Sequence, residues 1–112
     1  MAIADRIKQG RIDRGMGFYQ RVWALCSRVP AGRVVTYADI AQQLGGRAYR
    51  SVGCALHHNP YAPWVPCHRV VGSDGCLTGF ASGLDKKRKM LQAEGVKVIA
   101  GCVDLDRYRF RF

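Results

Sequence analysis

Two short apolar-faced segments flank Gly45-Gly46, and this arrangement restricts the possible folds more than any other stretch of the chain. Thr36-Tyr37-Ala38-Asp39 reads as a helix start, because a threonine hydroxyl can accept from an orphan amide while an acid three positions later reaches back. Ile40, Ala41 and Leu44 give that helix one apolar face, and the glycine pair stops it. A second helix is predicted over 48–57, with Val52, Ala55 and Leu56 inward and Arg47 and Arg50 outward. Two short helices around a glycine turn, the second cationic at its start, form a helix-turn-helix signature, a pattern that DNA-binding proteins share with others.

The remaining segments fit one domain of 112 residues. Phe18, Val22, Leu25, Cys26 and Val29 recur at helical spacing, with Trp23 on the flank, and Pro30-Ala31-Gly32 ends that helix. Arg33-Val34-Val35 is a short strand or extended link. A proline-punctuated loop follows the second helix, and Trp64 is expected to pack it down. Residues 76–83 form a glycine-spaced loop too permissive for core. A helix over 84–94 places Leu84, Arg88 and Leu91 on one side, lets Asp85 pair with Lys89, and ends at Gly95. Val96-Lys97-Val98 and Val103-Asp104-Leu105 alternate as a small hairpin across Ala100-Gly101. Tyr108, Phe110 and Phe112 alternate with arginines as an edge strand or a tail over the core. Residues 1–17 read as a basic extension, either a short helix over 2–11 or a frayed arm, leaving 18–112 as the domain. The expected fold is a small α/β, winged-helix-like domain with a minor β component.

Charge narrows the partners. Lys and Arg number 18 against 8 Asp and Glu, a net charge of +10. Such a surface favours a polyanion, since basic side chains on nucleic acid release condensed counterions. Ribosomal or membrane-surface habits give similar totals. The five cysteines at 26, 54, 67, 76 and 102 are odd in number and contain no C-x-x-C pair. That argues against a disulfide framework and a zinc knuckle, and for a reducing cytoplasm or nucleus. There is neither a long apolar run nor an N-terminal signal segment, so a soluble chain without a membrane partner is expected.

The chemistry concentrates in Pro66-Cys67-His68-Arg69-Val70-Val71. A thiol attacks only as thiolate and needs a base or a cation beside it, and His68 and Arg69 offer both. Pro66 fixes the backbone ahead of the thiol, and Val70-Val71 reads as the start of a buried strand. Adjacent residues of an extended segment face opposite ways, so His68 is expected to reach Cys67 through a bend or a bridging water.

This stretch resembles the acceptor motif of the O6-alkylguanine-DNA alkyltransferases, suicide proteins that repair alkylated guanine, and the resemblance runs over residues 18–96. It implies that Cys67 accepts the alkyl group, with His68 activating it and Glu94, in Glu94-Gly95, orienting the histidine. It further implies that Tyr37 helps rotate the damaged nucleotide and that Arg50, in Tyr49-Arg50-Ser51-Val52-Gly53, fills the vacated space. Asn59, in Asn59-Pro60, becomes the hinge before the active-site loop. Tyr19 and Ser73 are expected as further DNA contacts, and Phe80, Ala81 and Val70 as substrate pocket. The implied partner is duplex DNA carrying O6-alkylguanine, bound from the minor groove by a monomer without metal or cofactor.

Two departures stand out. The family's usual tyrosine after the motif is Phe80 here, followed by Ala81 where a serine is usual, so a donor to the leaving oxygen is missing. The small size, the expected lack of an N-terminal companion domain and the ending Val103-Asp104-Leu105-Asp106-Arg107-Tyr108-Arg109-Phe110 resemble the alkyltransferase-like proteins. Those bind alkylated DNA but carry tryptophan or alanine in place of the cysteine, whereas Cys67 is present. A lesion-binding flag is therefore the alternative function. A cysteine hydrolase, a redox protein with Cys76 as resolving thiol, and a plain helix-turn-helix regulator complete the classes left open.

Overall fold

In the computed structural model, which describes residues 2–80 and 83–112, the chain runs through six helices and two small two-stranded sheets. The order is α1 (Ile3–Lys8), α2 (Phe18–Ser27), β1 (Val35–Thr36), α3 (Tyr37–Gln43), α4 (Tyr49–His57), a 3-10 turn (Cys67–Arg69), β2 (Val70–Val71), α5 (Leu84–Ala93), β3 (Val98–Ile99), β4 (Cys102–Val103) and α6 (Leu105–Tyr108). This is the small mixed α/β fold expected.

Strands β1 and β2 pair in parallel, Val35 opposite Val70 and Thr36 opposite Val71. Because strand side chains alternate between faces, the pair divides the apolar interior into two parts. Val35 and Val70 point into a core built with Ile7, Val22, Leu25, Val29, Ile40, Val52 and Leu56, hence among α1 to α4. Val34 and Val71 point into a second core with Leu77, Leu91, Val96, Val103 and Tyr108. Val70, expected in the substrate pocket, is fully buried in the first core instead, since its strand face is taken by packing against the helices.

The helix pair follows the sequence closely. The Thr36 hydroxyl accepts from the Asp39 amide and the Asp39 carboxylate accepts from the Thr36 amide, both at 3.0 Å, so the capping box forms. Asp39 also receives Arg109 Nε at 3.0 Å, which ties the C-terminal segment to the start of α3. Val52, Ala55 and Leu56 are the buried residues of α4. Trp23 braces the pair, its indole N–H donating to the Ala55 carbonyl at 2.7 Å. Of the two readings of residues 2–11, the helix forms, and Ile7 is fully buried against α2.

Other expectations need correction. The hairpin forms, Val98 opposite Val103, but ends there because Asp104 caps α6 by accepting from the Asp106 amide. Beyond α6 the chain bridges Arg109 to Val34 and lays Phe110 and Phe112 against the first core, so the tail covers. Trp64 is 70% exposed, and Tyr61 packs edge-on against Trp23 in its stead. Cys76 and Cys102 form a disulfide, against the expectation from cysteine count. The reason is an antiparallel bridge that sets them side by side across 26 residues of sequence, a proximity that spacing does not reveal. It removes Cys76 as a resolving thiol for Cys67. The same stretch is tighter than its glycines suggest: Leu77 is buried, and a Cβ at Gly75 would sit 2.3 Å from the Val103 carbonyl oxygen.

The Asp39 carboxyl feels burial, which pushes its pKa up, but bonds from Arg109 and Thr36 outweigh that and hold it below the usual range. Its stabilisation is therefore complete above about pH 4 and is lost as pH falls through the lower folded value. Asp39→Ala removes the carboxylate half of the capping box and strands Arg109, an expected loss of about 2 kcal/mol at neutral pH. Urea denaturation at neutral and acid pH checks this: the deficit should shrink in acid.

Candidate active site

The motif's central three residues are wound into a single 3-10 turn. Its amides are satisfied locally, Cys67 N–H to the Val65 carbonyl and Arg69 N–H to the Pro66 carbonyl, each at 2.9 Å. Three residues per turn send successive side chains in different directions. Cys67 is half-buried, whereas His68 turns inward and is 3% exposed. The backbone bends between the two residues, one of the two routes expected from the sequence.

Glu94, at the end of α5, gathers the two residues after the thiol. It accepts from His68 Nε2 at 3.0 Å and from Arg69 Nε at 2.9 Å, with Arg69 Nη2 on its second oxygen. Arg69 Nη1 also donates to the Val29 carbonyl at 2.8 Å, so the turn is tied to both α5 and α2. Burial pushes the Glu94 carboxyl up, but the bonds from Arg69 and His68 prevail and keep it below its ordinary value. The carboxylate is thus ionised at neutral pH and can only accept. His68 Nε2 must carry a hydrogen, which leaves Nδ1 with a lone pair. Burial lowers the His68 pKa, and the support from Glu94 does not cancel it, so the imidazole is neutral at pH 7. A neutral imidazole with a free lone pair is what a general base requires.

Cys67 lines a hollow of about 70 Å³ together with Tyr37, Asn59 and Phe80. Asn59 holds the approach by two bonds, Nδ2 donating to the Val65 carbonyl and Oδ1 accepting from the Tyr61 amide, both at 2.9 Å. Tyr37 donates its hydroxyl to the Thr78 carbonyl at 3.2 Å, and burial raises its pKa. Ala81 lies outside the described residues. The hollow opens onto a groove of about 780 Å³ through Tyr37, His57 and Gly79, which line both.

Arg50, Tyr49 and Cys54 from α4 line that groove, with Ser73 and Thr78 opposite. Tyr19 stands beside it, its ring stacked at 6.1 Å on His58, one of the groove residues. Two contributors escaped the sequence reading. Gly53 sits inside α4 on the groove, where a glycine costs about 1 kcal/mol relative to alanine, and nothing lies within 4 Å of where its Cβ would be. No internal packing accounts for it, whereas a partner approaching the helix closely would; a glycine in mid-helix was the available signal. Lys87, four residues before Leu91, is the second: it is fully buried, while Leu84, expected on one side with Leu91, is 48% exposed. That i,i+4 spacing to a core leucine was legible. Asp85 does pair with Lys89, at 3.2 Å, and with Arg88 as well.

A half-buried thiol beside a carboxylate-held imidazole, at the foot of a cation-flanked groove, suits attack on a small group presented from the groove. Comparison with known proteins agrees. Residues 17–96 match the family described as 6-O-methylguanine DNA methyltransferase, DNA binding domain. The chain belongs to this family. Methylated-DNA--protein-cysteine methyltransferases of Methanosarcina barkeri and Mycobacterium tuberculosis are 51% and 48% identical to it, over 71% and 72% of the chain. The chain spans about half the length of these relatives, 51% and 50%. Among solved structures, Schizosaccharomyces pombe Atl1 in complex with damaged DNA containing O6-carboxymethylguanine aligns with TM-score 0.76 at 29% identity, covering 85% of this chain and 95% of Atl1. Mycobacterium tuberculosis OGT in complex with DNA aligns with TM-score 0.69 at 40% identity, covering 82% and 63%.

In this family member, Glu94 raises the His68 pKa that burial depresses. Glu94→Gln should therefore lower it further, so that the imidazole stays neutral to a more acid pH. An NMR titration of the His68 ring checks this; an upward move would contradict the assigned geometry.

Proposed function

We propose that this protein repairs DNA by taking the alkyl group of O6-alkylguanine onto Cys67, once per molecule. The observation that carries the reading is the placement of Cys67 in the hollow between Tyr37, Asn59 and Phe80, one residue from the His68–Glu94 pair.

An O6-alkyl group lies inside the base stack, so the nucleotide must leave the duplex before a thiol can reach it, at a cost of a few kcal/mol. Arg50 and Tyr37 serve that step in this reading. Arg50 enters the stack from α4 and takes the vacated place, while Tyr37 guides the nucleotide at the threshold between groove and hollow. The groove meets the DNA from the minor groove, as inserted side chains commonly do, and Ser73 and Tyr19 hold the flanking backbone. The protein acts as a monomer.

His68 Nδ1 draws the Cys67 proton through a water. The thiolate attacks the alkyl carbon, a carbon–sulfur bond forms, and the carbon–oxygen bond breaks with its electron pair leaving on guanine O6. Proton return to the base restores guanine. The product is a thioether with no easy reversal, so the reaction consumes the protein. Phe80 offers a ring to wall the base but no hydroxyl to the departing oxygen, and the backbone amides of that loop take over the role.

The alignment over 95% of Atl1 is compatible with a second reading, recognition of the lesion without transfer. Mixing the protein with duplex DNA containing O6-methylguanine, followed by intact-mass analysis, separates the two. One added methyl group mapped to Cys67, absent from Cys67→Ala, is the expected result; lesion-selective binding with no mass change would give the second reading. Arg50→Ala should weaken lesion binding and slow transfer, and unchanged values for both would remove Arg50 from the flipping step. Phe80→Tyr restores a donor and should speed transfer by about tenfold or more, the order of effect such donors have.

A further inference from the structure

Lys87 is a cation without a carboxylate partner among the described residues. Its residue is fully buried on the inner face of α5, and its ammonium donates to the Thr78 carbonyl at 2.8 Å. The rings of Tyr37 and Phe80, two walls of the Cys67 hollow, each lie 5.9 Å from it. Among the described residues no carboxylate pairs with it: Glu94 is taken by His68 and Arg69, Asp39 by Arg109, and Asp85 by Arg88 and Lys89. A buried charge with one neutral acceptor and two ring faces is poorly compensated.

The titratable groups around it are Tyr37 from α3, Cys26 from α2, and Cys67 and His68 from the reaction turn, with Arg69 beyond His68. Only three of these can become anions. Tyr37 is disfavoured, because burial raises its pKa. Burial pushes the Cys26 thiol far up, which keeps it neutral. Cys67 is the one left, half-buried in the hollow whose Tyr37 and Phe80 rings Lys87 faces.

We infer that Lys87 is a positioning residue whose ammonium serves as the counter-charge of the Cys67 thiolate, held in place by the Thr78 carbonyl and the rings of Tyr37 and Phe80. This rests on the reading of Cys67 as the acceptor thiol. The division of labour is then clear: Glu94 neutralises Arg69 and orients His68, which moves the proton, and Lys87 supplies the field that favours the anion left behind. The Lys87 pKa is consistent with such coupling: burial brings it down to about 8, and the Cys67 charge acts against that fall. Two groups in that relation titrate as a pair.

The test is DNA-free alkylation of Cys67 by iodoacetamide across neutral and alkaline pH, read by peptide mass analysis so that Cys54 and Cys26 are scored separately. In Lys87→Met, which keeps shape and removes charge, the Cys67 midpoint should rise by about one unit, leaving about tenfold less thiolate at neutral pH. Lys87→Arg should keep the wild-type midpoint. A Lys87→Met midpoint equal to wild type overturns the inference, even if that variant melts earlier, since a purely structural lysine would move the melting temperature and not the titration. The reciprocal measurement does not depend on either Lys87 variant folding: in Cys67→Ser, NMR should show the Lys87 ammonium titrating at lower pH than in the wild-type protein, and an unchanged titration overturns the inference as well. Neither readout contains DNA. Failure of methyl transfer and failure of this coupling are therefore separate results.

Discussion

Four valines at the centre of the molecule decide what can stand around them. Val35 and Val70 face one core, Val34 and Val71 the other, and the parallel pairing between them is only two residues long on each strand. A slip of one residue would turn each valine into the wrong core, so register here is set by burial on both sides. The ends of these strands are where function begins. Thr36 closes β1 and opens α3 with its hydroxyl, and β2 starts directly after the turn that carries Cys67, His68 and Arg69. The position of Tyr37 relative to the thiol is thus a consequence of valine packing more than of any contact in the hollow.

Around that centre, charge is handled in two different ways. Arg69 and Arg109 each meet a carboxylate that also does a second job, Glu94 holding His68 and Asp39 capping α3. These bonds join distant segments, α2 to α5 and the C-terminal residues to the helix pair. Lys87 has no such partner among the described residues and sits against a carbonyl and two rings. Since the chain carries ten more cations than anions, an unpaired surface lysine would be ordinary. A fully buried one is not, and its burial beside the reactive hollow is what connects net charge to chemistry.

Much of this was legible from local pattern. The capping box at Thr36 and Asp39, the inward residues of α4 and the helical spacing through α2 depend on neighbours within one or two turns, and each formed as the spacing predicts. His68 and Glu94, 26 residues apart, meet at 3.0 Å. What sequence withheld was long-range. The Cys76–Cys102 bond depends on a bridge between the loop after β2 and β4, and Val70 was claimed by packing before it could line a pocket. Trp64 was judged by its size, yet Tyr61 had the edge of Trp23 within reach. Lys87 was passed over, although its four-residue distance from the core residue Leu91 argued for burial.

One atom joins Tyr37, a wall of the hollow, to Lys87. The Thr78 carbonyl oxygen accepts from Tyr37 on α3 and from Lys87 on α5. A main-chain oxygen is present whatever side chain the position bears, so this junction is indifferent to most substitutions at residue 78 itself. Sequence drift there can alter the surface of the groove while the attachment persists. The vulnerability lies with the two donors, and a family comparison that scored position 78 by its side chain would overlook this junction.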